Sequence, residues 1–235
     1  MSSFVHLHLH SEYSLLDGAC RIADIPKAAK ANGHSAVALT DHGVMYGAID
    51  FYKACKEEGV KPIIGCEVYV AERSRFDKKR DQNFFNCHLV LLVKNEIGYR
   101  NLITLVSKAF TEGFYMKPRI DMELLASHSE GLVCLSGCLS GHISKAILQD
   151  NIEEAERYAQ ELLSIFGKEN FYIELQSNRI PDQKVVNEAA LGIARKFGIS
   201  PVATNDVHYI RKRDAETQAV LMCIQTNVKL NSGPS

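Results

Sequence analysis

Short apolar runs alternate with longer stretches in which apolar residues recur at helical spacing, from one end of the chain to the other. Strand-like runs fall at 4–9, 35–40 (SAVALT), 62–70 (PIIGCEVYV), 88–93 (HLVLLV), 132–135 (LVCL), 171–175 (FYIEL) and 201–203 (PVA). Helical periodicity covers 22–32, 45–58, 97–110, 142–166, 181–197 and 213–225. The segment 142–166 is expected to break at Asp150-Asn151, where an Asx cap precedes the acidic first turn of DNIEEAERYAQELL. Gly33, Gly59, Gly167 and Gly198 each close a helical run, the usual place for a C-terminal glycine. Strands alternating with helices predict a parallel sheet, and seven such units without a linker predict one closed α/β barrel. The one long polar insertion, ERSRFDKKRDQN (72–83), is expected to be a solvated loop over one end. Residues 1–228 read as the barrel domain. Residues 229–235 read as a tail, either the start of a linker to a further region or a cloning remnant.

Composition narrows the possibilities. The 235 residues are 46% hydrophobic, enough for a full core, and the formal net charge of −1 offers no global basic field for nucleic acid. No apolar run reaches the length of a membrane span, and MSSFVHLH lacks the layout of a signal peptide. Seven cysteines (20, 55, 66, 87, 134, 138 and 223) without paired spacing favour reduced thiols and a cytoplasmic protein.

The polar residues that interrupt the apolar runs carry the chemistry. In FVHLHLH, His6, His8 and His10 alternate, so an ideal strand would place all three rings on one face. In α/β barrels the chemistry sits on the loops that follow the strands. His8 and His10 end the first strand and Asp17 lies in the loop after it. Asp41 and His42 follow the second strand, Cys138 the fifth, and Asp206 and His208 the seventh. Glu67 lies within an apolar strand, where a bare carboxylate is costly without a partner or a metal. His88 is awkward, because it opens its strand; it becomes mid-strand if the strand starts at Phe84 or Phe85, which the sequence allows. Imidazole, carboxylate and thiolate together suit zinc, manganese or iron. A carboxylate such as Glu67 can bridge two ions.

On these residues the chain resembles the polymerase and histidinol phosphatase (PHP) domain of bacterial DNA polymerase III alpha subunits. The resemblance rests on FVHLHLHSEYSLLDG, ALTDHGVMYGAIDFYKACKEEGVKPIIGCEVYV, HLVLLVKNEIGYRNLITLVSKAF, GLVCLSGCLSG and PVATNDVHYI. It implies a distorted seven-stranded barrel of TIM-like type holding up to three divalent ions. His8, His10, Glu67 and Asp206 would hold one ion, Glu67, His88 and Cys138 a second, and Asp17, His42 and His208 a third. His6 and Asp41 would support the ligands from behind. The activity implied is metal-assisted phosphoester hydrolysis with water as nucleophile and no side-chain nucleophile. The substrate implied is the 3′ end of a DNA strand, removed 3′→5′ as in proofreading. Arg73, Arg75, Lys117 and Arg119 are candidate contacts to its backbone. Further partners would be the remainder of a polymerase chain and other replisome subunits, without a membrane. Three rival readings are an inactive scaffold that binds a proofreading subunit, a small-molecule phosphatase of the histidinol phosphate type, and an amidohydrolase.

Overall fold

The computed structural model describes residues 4–79 and 86–230. Seven strands form one sheet: β1 (Ala36–Leu39), β2 (Lys61–Ala71), β3 (Asn86–Val93), β4 (Arg119–Ile120), β5 (Leu132–Leu135), β6 (Phe171–Gln176) and β7 (Ser200–Thr204). Their order is β1-β2-β3-β5-β6-β7, with β4 paired to β2. The helices α1 (Ile25–Ala31), α2 (Ala48–Glu58), α3 (Glu96–Thr111), α4 (Met122–Ser127), α5 (His142–Leu148), α6 (Ile152–Phe166), α7 (Pro181–Phe197) and α8 (Ala215–Thr226) complete the fold. The break between α5 and α6 falls where the cap predicts it: Asp150 is left-handed, and the Asn151 side chain accepts the Glu154 N–H.

Two expectations need correction. Residues 4–9 make no regular strand. The chain bends at His8 and joins both edges of the sheet through single bridges, His6 to Val37 and Leu9 to Val207. Ala38 N–H donates to the His6 carbonyl (2.8 Å) and His10 N–H to the Val207 carbonyl (2.8 Å), so this segment closes the barrel between β1 and the turn after β7. Nor is the sheet all parallel. β3 runs antiparallel to both β2 and β5, whereas β1–β2, β2–β4, β5–β6 and β6–β7 are parallel. This resolves His88. An antiparallel strand brings its N-terminal end to the mouth where its neighbours end, so a ligand near the start of β3 meets ligands from the ends of the others.

Side-chain alternation then builds the interior in layers. His88, Val90 and Leu92 share one face of β3, as do Glu67, Gly65 and Ile63 on β2. The apolar members Val90, Leu92, Leu135 and Ala38, with Leu7, Ile63, Val133, Tyr172 and Val202, plug the barrel below. The polar members stand above that plug. A larger core, including Leu102, Leu105, Leu162, Phe171 and Ile193, lies between the sheet and the helices outside it.

The insertion after β2 also departs from expectation over its described part, 72–79; Arg80 to Asn83 lie outside the described residues. Arg75 is buried, and its guanidinium pairs with Asp121 (2.9 Å) and Glu112 (2.7 Å). Arg119 is only 2% exposed and donates to the carbonyls of Gly113, Arg75 and Asp77. These two cations tie the insertion to β4 and α4 and are not presented to a ligand. Periodicity missed β4 and α4 because two and six residues are too few to show a period. All seven cysteines are free. No described helix is long and apolar enough to cross a membrane.

Candidate metal centre

Glu67 lies at the middle of the mouth, 1% exposed. Its Oε1 is 3.2 Å from His8 Nε2 and 3.1 Å from His88 Nδ1; its Oε2 is 2.6 Å from His42 Nδ1 and 3.7 Å from His10 Nε2. Cys138 Sγ is 3.7 Å from Glu67 Oε1 and 3.8 Å from His88 Nδ1. On the opposite side, Asp206 Oδ1 lies 3.3 Å from His8 Nε2 and 3.1 Å from His10 Nε2. Asp17 Oδ2 is 2.8 Å from His42 Nε2 and 3.6 Å from His208 Nε2. The structure therefore brings all nine predicted ligands into one cluster. Within it, three triads of donor atoms converge most closely: His8, His10 and Asp206; His42, Glu67 and His88; His10, His42 and His208.

Local structure explains why these loops meet. The turn carrying Asp206 and His208 is latched to the first segment by Val207 N–H to the His8 carbonyl and Ala19 N–H to the His208 carbonyl. Asp206 itself is left-handed (φ 50), a conformation aspartate tolerates better than most residues. Gly43 (φ 65) turns the chain after His42, and a Cβ there would lie 2.9 Å from Pro118 and 3.1 Å from Tyr69.

Behind the ligands lies a layer of orienting groups. Asp41 is buried and accepts from Ser11 N–H (2.6 Å), Ser11 Oγ (2.7 Å) and Ser14 Oγ (2.7 Å). Ser14 Oγ in turn lies 3.3 Å from His10 Nδ1 and accepts the His42 N–H. Asp41 thus fixes the loop on which Ser14 meets the His10 ring and the His42 backbone, a role read from the sequence for Asp41 but not for Ser14. His6 does not share it. The bend at His8 breaks the alternation, and the His6 ring packs against Phe4 (4.9 Å) and His34 (5.3 Å), away from the cluster. Sequence reasoning missed Glu174, which is 3% exposed and sits 2.7 Å from His8 Nδ1 with Gln176 and Thr204 as further donors. The signal was present: FYIEL buries a carboxylate in an apolar strand, just as IIGCEVYV does.

The electrostatics describe a site that needs counter-charge. Complete burial works against ionisation of Glu67, yet His88, His8 and His42 hold its carboxyl well below the usual carboxylate range. Burial likewise opposes the charge on His8, but Asp206, Glu174 and Glu67 keep its pKa well above normal. For His42, burial is outweighed by Asp17 and Glu67, and the pKa rises to about 9. His10 goes the other way, to about 3, because burial dominates and His42 adds its own repulsion. Burial, Glu67 and Asp206 raise the Cys138 thiol. Without cations, protons balance this cluster. Divalent ions would take their place and release the thiol as a ligand.

The donor set fits such ions. His8 Nε2, His42 Nδ1 and Glu67 Oε2 are buried without a hydrogen-bond partner; the 2.6 Å approach of His42 to Glu67 lacks hydrogen-bond alignment. Buried polar atoms are rarely left in that state. Glu174 accepts at His8 Nδ1, so with an ion in place of the second proton the Nε2 lone pair would face Glu67 and Asp206. His208 Nδ1 donates to the Asp206 carbonyl (2.9 Å), leaving Nε2 towards Asp17. Among the predicted cations, Lys117 is exposed and Arg73 is exposed beside Asp77 (2.9 Å).

Comparison with known proteins places the chain in a family. The PHP domain family matches residues 6–178. DNA polymerase III subunit alpha from Treponema pallidum is 49% identical over 99% of the chain, and that from Thermus aquaticus 50% identical over 97%. The chain spans about a fifth of the length of these curated relatives (20% and 19%). Among solved structures, a protein of Bifidobacterium adolescentis assigned as a metal-dependent phosphoesterase superposes with a TM-score of 0.56, at 15% identity, over 89% of each chain. An amidohydrolase from Chromobacterium violaceum superposes with a TM-score of 0.52, at 15% identity, over 92% of this chain and 96% of its own. These two likenesses concern the fold. With the family match covering most of its length, the chain belongs to the PHP domain family.

Proposed function

We propose that this domain is a metal-dependent phosphoesterase acting on the 3′ end of a DNA strand, removing nucleotides in the 3′→5′ direction. The observation that carries the hydrolytic reading is the gathering of nine buried or half-buried ligands, Glu67 at their middle, with three buried atoms of the cluster left without a hydrogen bond. The DNA substrate is supported by the likeness to DNA polymerase III alpha subunits over nearly the whole chain.

In this reading His8, His10, Glu67 and Asp206 hold one ion, Glu67, His88 and Cys138 a second, and Asp17, His42 and His208 a third. When bound, the ions would activate water for attack on phosphorus and neutralise the charge growing on the phosphoryl oxygens. The protein supplies position. Glu67 offers an oxygen to each side of the cluster. Glu174 fixes the tautomer and plane of His8, and Asp41 acts through Ser14 on His10 and His42. The apolar plug of Leu7, Val90, Leu92 and Leu135 fills the barrel below the cluster.

A single-stranded oligonucleotide labelled at its 5′ end tests the proposal. In the presence of manganese or zinc it should shorten one nucleotide at a time. A bulky 3′ block should stop the reaction, and His8→Ala should abolish it, which also guards against a contaminating nuclease. DNA left intact while simple phosphomonoesters are cleaved in a His8-dependent way would replace the exonuclease with a small-molecule phosphatase. No turnover of either, with a full metal complement, would point to a scaffold.

A further inference from the structure

Of the cations the sequence put forward for substrate binding, one stands against the metal-ligand cluster itself. Where β1 ends, β4 takes up the edge of β2, with Tyr69 in register with Arg119. The turn that leads into β4 is pinched by the bridge between Tyr115 and Lys117. Pro118 seats this turn on the loop after His42, against Gly43. Lys117 Nζ is thereby held 5.3 Å from the centre of the Tyr69 ring. That ring meets His88 edge-on at 5.1 Å and stacks along His42 at 6.0 Å. The exposed Lys117 therefore shares the Tyr69 ring with two predicted ligands. In the same turn Phe114 and Met116 expose large apolar surfaces, Phe114 stacked on Phe110 (6.1 Å) and Met116 on a left-handed backbone (φ 61).

This spacing has a chemical meaning. The ammonium is joined to the ligands around Glu67 through a common neighbour, the Tyr69 ring. It is placed for a second phosphate, which a polynucleotide has and a phosphomonoester lacks. A cation over an aromatic face loses little freedom when it then pairs with an anion, and the exposed Phe114 and Met116 offer a base a surface to lie on.

We propose that Lys117, carried on the Tyr69 ring, is a positioning residue that grips the strand phosphate next to the scissile one and so selects a polynucleotide end over a small ester. The proposal rests on the phosphoesterase reading above and names how its substrate is recognised.

The test compares wild type, Lys117→Ala and Lys117→Arg on two substrates, a labelled single-stranded oligonucleotide and bis(p-nitrophenyl) phosphate. Oligonucleotide binding is measured separately by fluorescence anisotropy over a series of salt concentrations, with divalent ions withheld. For Lys117→Ala, kcat/KM on DNA should fall about tenfold more than on the small ester, the usual worth of one charged hydrogen bond. The loss should lie mainly in KM. The slope of log affinity against log salt should shrink by about 0.7, one phosphate contact on a single strand. Lys117→Arg should restore most of both, and all three proteins should melt alike. Equal losses on the two substrates, or unchanged DNA affinity and slope, would overturn the proposal. If wild type does not cleave DNA at all, the exonuclease reading fails by itself. Lys117 is then judged on anisotropy, where absent or Lys117-independent binding sinks it.

Discussion

Two groups of buried charge, one around Arg75 and one around Glu67, differ in kind. Around Arg75, every charge is answered: Asp121 receives the guanidinium and the Arg75 N–H and also caps α4, Glu112 takes the guanidinium's Nε, and Arg119 spends its donors on carbonyls. Around Glu67, carboxylates and imidazoles crowd one point, and buried atoms of His8, His42 and Glu67 remain without hydrogen bonds. A network with its hydrogen bonds closed holds loops together. A set of donors aimed at a common point and left open calls for a ligand. Charge and burial alone do not separate the two; the accounting of partners does.

Mutations can break that contrast, and the largest effect is expected at Glu67. Glu67→Gln removes the carboxylate that both sides of the cluster share. Activity should fall well beyond the roughly 10–100-fold typical of losing an outer partner, and at least one metal equivalent should go. Circular dichroism should show the barrel still folded, and elemental analysis should show the missing metal. Full metal content in this variant would rule out Glu67 as a bridge.

Asp121→Ala should do the converse. Losing one partner of a buried ion pair costs about 3–5 kcal/mol, so denaturant unfolding should show a large loss of stability. Metal content should be unchanged. A variant that keeps its stability but loses metal would erase the distinction between the two networks.

Glu174→Gln sharpens the comparison from within the mouth. The amide can still sit beside His8 but accepts a proton less strongly, so metal affinity should drop by about 10–100-fold, or roughly 1.4–2.7 kcal/mol. Titration with a competing chelator measures this. Unchanged affinity would make Glu174 a member of the packing only.

The smallest effect belongs to Arg73→Ala. Its pair with Asp77 is exposed, and such pairs contribute about 0–1 kcal/mol. Melting temperature and DNA affinity should both stay close to wild type. A marked loss of DNA affinity would bring the insertion after β2 back as a substrate contact.

Much of this molecule is determined by local pattern, which the sequence carries openly. Helices α2, α3, α6 and α7 announce themselves through their period and caps, and Asn151 starts α6 where its side chain predicts. The chemistry was legible for the same local reason: Glu67 in an apolar run, and Asp-His pairs just past strand ends, are costly placements unless something answers them. The tertiary structure decided what depends on direction and pairing. Strand polarity is set by hydrogen bonds between distant segments, so only the fold could show that β3 is antiparallel and that His88 therefore belongs at the mouth. A single bend at His8, forced as the first segment joins both sheet edges, sends His6 away from the two histidines with which it alternates. Arg75 and Arg119 look like surface cations in a charged stretch until Asp121, 46 residues after Arg75, comes into contact with the first of them. Local pattern chooses the elements and the reactive residue types. Which charges close on one another, and which are left open for a ligand, is settled only when the chain has packed.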